Sequence, residues 1–334
     1  MDNQVSHSIR WDAHACLPLH PEASLSPLLR YREAGVHYVS VNVGMDMNPL
    51  QQVMNCLAGF RSSIRKHPHL MIAGTSKEIS RAAAQGILSV GFDLEGACPL
   101  GSYPEMVSLY RDLGVRQIHL AYNRNNSAAG GCHDEERGLT PLGEAFIREM
   151  NESGIIVDCS HMSKRSSLEA IERSLSPAVF SHANPSRLVP HGRNVDDEQL
   201  HAIAAGGGVV CLNGVSVFLG EERPSVEGLI RHICYVIDLI GVEHVGIGLD
   251  TGFGEDGLDD HPPEPFDPSY WWPASAGYQQ GISEVKYLPP ETWRALPEAL
   301  SKAGLSPREV DLVLGENMRR VLDQVERVSR QAYQ

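Results

Sequence analysis

The sequence has 334 residues, 42% hydrophobic and 21% charged, the proportions of a soluble globular protein long enough for a large buried core. Its formal net charge of −14 sets it against nucleic-acid phosphates and anionic lipid, so neither is an expected partner. No run approaches the roughly 18 apolar residues of a membrane span, and Met1–Arg10 carries no apolar signal core, so a cytoplasmic location is expected.

In chain order, short β-branched runs alternate with amphipathic stretches. The runs are Ser8–Leu17, His37–Gly44, Leu88–Gly96, Val115–Tyr122, Gly154–His161, Ala178–Ala183, Gly207–Gly214 and His244–Asp250. Helices are predicted over Glu78–Gln85, Pro104–Leu113, Pro141–Ser153, Ser163–Ser174, Val195–Ala205, Ser225–Ile240 and Ser306–Val325. Their starts are marked by Thr75-Ser76, by first-turn prolines, by Ser163 and by Ser306-Pro307. Eight strands alternating with helices point to an α/β fold, a (β/α)8 TIM barrel, over a doubly wound open sheet. One barrel domain over residues 1–334 is expected, with a long loop, Thr251–Pro290, after the eighth strand. That loop holds Tyr270, Trp271, Trp272, Tyr278 and the acidic run Glu255–Glu264, and its aromatics suit an ordered lid or a subunit contact. Seven scattered cysteines without a CxxC pair suggest reduced thiols.

The chemistry sits where the runs stop. The first stops near Asp12, His14 and Cys16, the third at Glu95, the fourth at Tyr122 and Asn123, the fifth at His161, the sixth at His182 and the eighth at Asp250. In a barrel these ends share the face that carries active sites. Imidazoles and a carboxylate converging there form a site for zinc or a similar divalent cation, with Glu95 able to bridge two ions and lower the proton affinity of a shared water. The remaining histidines, His119 among them, read as structural or solvated. The period-two rule places His119 on the face opposite Tyr122.

Six segments carry a family resemblance: WDAHACLP, GFDLEG, VDCSHMS, VFSHANPSRLVPHGRN, HVGIGLDTGFG and LGENMRRVLDQV. In order and spacing, from Arg10 to Val325, the chain resembles the renal or membrane dipeptidases, peptidase family M19, of the amidohydrolase-like barrels. The resemblance implies one or two zinc ions. His14 would bind the first metal, Glu95 would bridge, and His161 and His182 would bind the second. Arg193 would hold a substrate carboxylate, and Asp250 would shuttle a proton as metal-activated water cleaves an amide bond. Tyr122 and Asn123 are placed at the substrate. A homodimer is a further implication. Arg193 as a loop ion pair and Asp250 as a helix cap are the plainer readings.

Two positions depart from the family pattern. Cys16 stands where the family has Asp, and Tyr122 where it has His. Cys16 is read first as a thiolate ligand of the first metal, then as a bridge, or as a non-ligand that leaves the first site weak, with Asp12 as a substitute oxygen. Tyr122 can donate to a developing oxyanion but carries no charge. The leading expectation is therefore hydrolysis of a dipeptide or an N-acyl amino acid. The alternatives are a tailoring enzyme acting on a specialised metabolite without dipeptidase activity, and a non-catalytic binding protein.

Overall fold

The computed structural model describes residues 8–254, 258, 261–279 and 281–332. Residues 1–7 of the N-terminal stretch behind the signal-peptide reading, and half of the acidic run Glu255–Glu264, lie outside them. Eight parallel strands close on themselves: β1 Trp11–Cys16, β2 Tyr38–Met45, β3 Leu88–Glu95, β4 Val115–His119, β5 Ile156–Asp158, β6 Val179–Phe180, β7 Val209–Leu212 and β8 Val245–Ile247. Each pairs with the next, and Asp12 of β1 pairs with Ile247 of β8 to complete the barrel. The chain is thus a (β/α)8 barrel. Strands covered on both faces need continuous apolar character, and β2, β3 and β7 are buried along almost their whole length.

All eight expected strands are present. The structure adds helices at Leu28–Glu33 and Leu50–Lys66, and a short strand, Leu70–Ile72, on the outer side of β3. Most predicted helix starts hold, while the helix expected from Pro104 begins at Met106, with Pro104 in the turn before it. Thr75, Asp196 and Ser306 each close a capping box, and the side chains of Ser163 and Ser225 each accept a backbone N–H of the first turn. Each such cap stabilises its helix by about 1 kcal/mol. The C-terminal helix is interrupted at Leu312–Glu316, where Gly315 lies against the chain entering β1; a Cβ there would meet the Ile9 carbonyl at 2.2 Å.

The segment after β8 folds back over the barrel mouth. Its aromatics pack with the Val215–Leu219 turn in a small separate cluster of Val215, Phe218, Tyr278 and Val285. Its far end is pinned by the fully buried Trp293, whose Nε1 donates to Asp12 Oδ2 at 2.8 Å. Asp12 also accepts the backbone N–H of Leu249 and His14, so its carboxylate braces strand ends. This corrects the expectation of Asp12 as a substitute oxygen. Among the described residues no helix is long and apolar enough to cross a membrane.

Candidate metal centre

One carboxylate oxygen organises the site. Glu95 Oε1 lies 2.9 Å from His161 Nε2, 3.4 Å from His182 Nε2 and 3.5 Å from His14 Nε2. The other oxygen, Oε2, accepts from Asn42 Nδ2 at 2.7 Å, which fixes the carboxylate plane. Behind His14, Asp93 Oδ1 stands 3.2 Å from Nδ1, and Ser40 holds the second Asp93 oxygen at 2.6 Å. His182 Nδ1 meets Ser181 Oγ at 2.7 Å. His161 Nδ1 meets Asn123 Oδ1 at 2.7 Å. The rings of His182 and His161 are thus hydrogen-bonded at Nδ1, while His14 Nδ1 faces the Asp93 carboxylate without a hydrogen bond, and all three turn Nε2 toward Glu95, much as outer partners orient metal-binding histidines.

Cys16 joins on one side, with Sγ 3.3 Å from His14 Nε2. The ligand atoms of His14, Cys16 and Asp250 all lie within 4.8 Å of one another, as do those of His14, Glu95 and His182. The expected residues are therefore brought together. Asp250 also opens on the cavity, its Oδ1 3.8 Å from His14 Nε2.

Local backbone conformation supports a functional reading. Among the described residues, the non-glycine residues with positive φ are Asn123, His161 and Asp250, at 57°, 66° and 58°. Such conformations cost on the order of 1–3 kcal/mol each and cluster where function demands them. Next to Glu95, Gly96 has φ 124°, and a Cβ there would strike the Asp46 carboxylate at 2.0 Å. Asp46 needs that approach, because it ties three loops together through Cys98 N, Tyr122 N and Asn126 Nδ2.

The electrostatics call for added positive charge. Burial pushes Glu95 up to about 7 despite His14 and His119, and burial raises Asp250 as well. Burial also lifts the Cys16 thiol to about 12, with His14 opposing. His161 and His182 are held well below the ordinary imidazole range, by burial first and then by Arg193 and neighbouring histidines. For His14 burial acts downward, but Asp93 and Glu95 outweigh it and raise the ring well above that range. Imidazoles, buried carboxylates and a thiol are the donor set of a divalent cation site, and a cation would take the place of the His14 proton and reverse the burial penalty on each acid. His119 Nδ1 is also buried without a hydrogen-bond partner. The residues present fit a metal.

His119 is the residue that the sequence reading missed. It is fully buried, with Nδ1 3.8 Å from Glu95 Oε1 and Nε2 2.5 Å from Asp158 Oδ2. The signal was weak: an imidazole three residues before an expected strand end, with its partner on another strand. Asn123, expected at the substrate, is reassigned. Its Oδ1 faces His161 and its Nδ2 donates to the Trp271 carbonyl at 3.1 Å, so both ends of the amide are committed within the protein.

Tyr122, by contrast, lines the cavity. Its ring stacks on His161 at 4.3 Å between centroids, and its hydroxyl accepts from Trp272 Nε1 at 3.1 Å. Arg193 is buried, donates Nη2 to the His182 carbonyl at 3.2 Å, and leaves Nε without a partner. Tyr122, Arg193, Cys16, Glu95, His161 and Asp250 share one cavity of about 170 Å³. Its roof is Val215, Phe218, Trp272, Tyr278, Ile282 and Val285.

The chain also matches known proteins in sequence and fold. The sequence profile of membrane dipeptidase (peptidase family M19) matches residues 21–264, beginning after His14 and Cys16. Dipeptidase tcpJ of Claviceps purpurea is 30% identical over 263 residues, 77% of this chain and 56% of its own length. Dipeptidase verJ of Clonostachys rogersoniana is 31% identical over 269 residues, 79% of this chain and 62% of its own. The chain thus spans little more than half the length of these relatives. An amidohydrolase from Pseudomonas aeruginosa superposes with a TM-score of 0.83 at 25% identity, covering 95% of this chain and 96% of its own. By this profile match and these relatives, the chain belongs to the membrane dipeptidase family, peptidase family M19.

Proposed function

We propose that this chain is a zinc-dependent hydrolase cleaving the amide bond of small dipeptides with uncharged side chains. The observation that carries the reading is the convergence of His14, His161 and His182 on Glu95 Oε1, at 2.9–3.5 Å, beside a buried arginine in one small cavity. His14, Cys16 and Glu95 would hold one divalent ion, and Glu95, His161 and His182 a second. When bound, such ions supply Lewis-acid polarisation of the amide carbonyl and acidify water.

The chain's own residues supply the rest. Arg193 presents its free guanidinium edge to a substrate carboxylate, a match of planar donors to planar acceptors. Asp250, with its carboxyl raised by burial, takes a proton from the attacking water and returns it to the leaving amine. Tyr122 receives the Trp272 N–H, so its own hydroxyl proton is left for an acceptor in the cavity, the amide oxygen as its negative charge develops. The roof excludes water with apolar and aromatic groups.

Size and charge narrow the substrate. A volume of about 170 Å³ lies below the ~300–1,000 Å³ of sites for drug-sized ligands. The charged residues lining it, Glu95, Asp250 and Arg193, all have roles in this scheme. A charged side chain on the substrate would meet the apolar roof unpaired, at a cost of several kcal/mol. An N-acyl amino acid would satisfy Arg193 and give Asp250 the same leaving amine, but it lacks the free N-terminal amine of a dipeptide. The exchanged positions Cys16 and Tyr122 favour one further reading, a tailoring reaction without net hydrolysis. Assay of zinc-loaded protein against alanyl, leucyl, glutamyl and lysyl dipeptides and N-acetyl amino acids tests the proposal. Turnover confined to the uncharged dipeptides supports it, and absence of turnover across the panel overturns it.

A further inference from the structure

We propose that His119 is an additional metal ligand of this chain, coordinating through Nδ1. The inference rests on the metal site proposed above. The expected ligands sit at strand ends and turn Nε2 toward Glu95. His119 approaches the same oxygen from deeper in the barrel and by its other nitrogen.

The proton inventory makes the case. Asp158 Oδ1 accepts the backbone N–H of Ser160 at 3.0 Å and of Ser181 at 3.1 Å. Its Oδ2 meets His119 Nε2 at 2.5 Å. A carboxylate that takes two backbone donors on one oxygen acts as an acceptor on the other, so the imidazole proton lies on Nε2. Nδ1 is then a bare lone pair. It is fully buried, has no hydrogen-bond partner, and points toward Glu95 Oε1 at 3.8 Å. The ligand atoms of Glu95, His119 and His161 lie within 4.8 Å of one another, the same spread as His14, Glu95 and His182.

A core histidine serves the geometry less well. A neutral ring that packs only for volume leaves a buried acceptor unsatisfied, which costs about 1–3 kcal/mol. An imidazolium would carry a proton on Nδ1 as well, yet Nδ1 has no hydrogen-bond partner and Glu95 Oε1 stands 3.8 Å away, beyond hydrogen-bonding reach. A cation uses the lone pair where it stands, and Asp158 is the outer carboxylate that fixes the tautomer of a metal-binding histidine. The half of the site built on Glu95, His161 and His182 thereby gains a third imidazole, while the half built on His14 carries the Cys16 thiol.

The test uses the full chain labelled with ¹⁵N-histidine, stripped by chelator and reloaded with zinc chloride alone. Long-range ¹⁵N–¹H spectra distinguish Nδ1 from Nε2 coordination. The expected result is one zinc-dependent imidazole bound through Nδ1 with its proton on Nε2, absent from His119→Gln, beside others bound through Nε2. Zinc affinity by chelator competition is expected to fall about 10–100-fold in Asp158→Asn, and by at least as much in His119→Gln. Should His119→Gln fail to fold, the Nδ1 pattern in the unaltered chain decides. A His119 signal unchanged by zinc, or one that keeps both ring protons in the loaded protein, overturns the inference. Hydrolysis with such an unchanged signal would overturn this inference alone. Nδ1 coordination in a protein that turns over no dipeptide would overturn the hydrolase reading alone.

Discussion

Asn123 and His161 form a fixed pair: the asparagine Oδ1 holds the imidazole Nδ1 at 2.7 Å, and the other end of the same amide donates to the Trp271 carbonyl at 3.1 Å. A carbonyl oxygen accepts only, so the amide nitrogen faces Trp271 and the amide oxygen faces His161. His161 therefore carries its proton on Nδ1 and offers Nε2 to the site. The neighbours repeat the latch in reverse order. Tyr122 receives the Trp272 N–H, and Arg124 donates to the Tyr270 carbonyl while its guanidinium lies 4.6 Å over that ring.

The pair predicts separable effects. Asn123→Leu removes both bonds, and zinc affinity is expected to fall about 10–100-fold, the usual cost of losing an outer-shell partner. Asn123→Asp keeps an acceptor for His161 but sets an oxygen against the Trp271 carbonyl. It is expected to hold zinc within a few-fold of the parent while amide hydrogen exchange over residues 266–279 accelerates. Chelator competition and exchange mass spectrometry read the two effects independently.

Cys16 as a thiolate ligand predicts a spectroscopic signature. Cadmium-loaded protein is expected to show an ultraviolet sulfur-to-metal charge-transfer band that is lost in Cys16→Ser, because a coordinating thiol is deprotonated outright. A thiol with burial-raised pKa and no metal bond gives no such band at neutral pH.

Arg193 and Tyr122 are expected to separate binding from chemistry. Arg193→Met removes charge-assisted bonds worth about 1.5–3 kcal/mol each, so KM for a dipeptide rises at least about tenfold. Tyr122→Phe keeps the ring on His161 but removes the hydroxyl, and kcat falls by roughly 10²-fold, as for loss of one oxyanion donor. Steady-state kinetics on both variants check the division.

How much of this was legible in the sequence depends on how local the cause is. Runs such as YVSVNV in β2 and LSVGFDLE in β3 carry their burial in their own composition, so the barrel could be read directly. Leu50–Lys66 was missed although its buried Val53, Cys56, Leu57, Phe60 and Ile64 recur at helical spacing: it starts after Pro49 with no side-chain cap, and its interior holds Gly59, a poor helix former required where a Cβ would meet the Pro21 carbonyl at 2.0 Å. His14, Glu95, His161 and His182 were found because each ends an apolar run. His119 was misread because strand parity was carried to Tyr122, whereas β4 ends at His119 and Asp46 captures the Tyr122 N–H beyond it. The role of Asn123 depends on Trp271, 148 residues away, which no local pattern encodes.

The roof should respond to acid through two histidines. Burial, then Arg193, depress His133 to about 3 and His191 to about 4, and both rings pack edge-on against Tyr278. Folded values below the unfolded value of ~6.5 mean that the unfolded chain binds more protons between the two. Their contribution is fully present above pH ~6.5 and is lost as pH falls toward 4 and 3. Between pH 7 and pH 4.5 the urea midpoint of metal-free His133→Phe, which keeps the ring edge and removes the titration, is expected to lose less (or gain more) than that of the parent, in which Glu95, raised to about 7, acts in the opposite sense over the same range.

The central claim is a zinc-dependent hydrolytic site built on Glu95, His161 and His182. The most direct measurement is titration of chelator-stripped protein with zinc while hydrolysis of alanyl-alanine is followed, beside Glu95→Gln. Turnover that rises with bound zinc, saturates at one or two ions per chain, and is abolished in Glu95→Gln together with tight zinc binding is the predicted result. Turnover independent of zinc, or a Glu95→Gln variant that binds zinc and hydrolyses like the parent, would contradict the account.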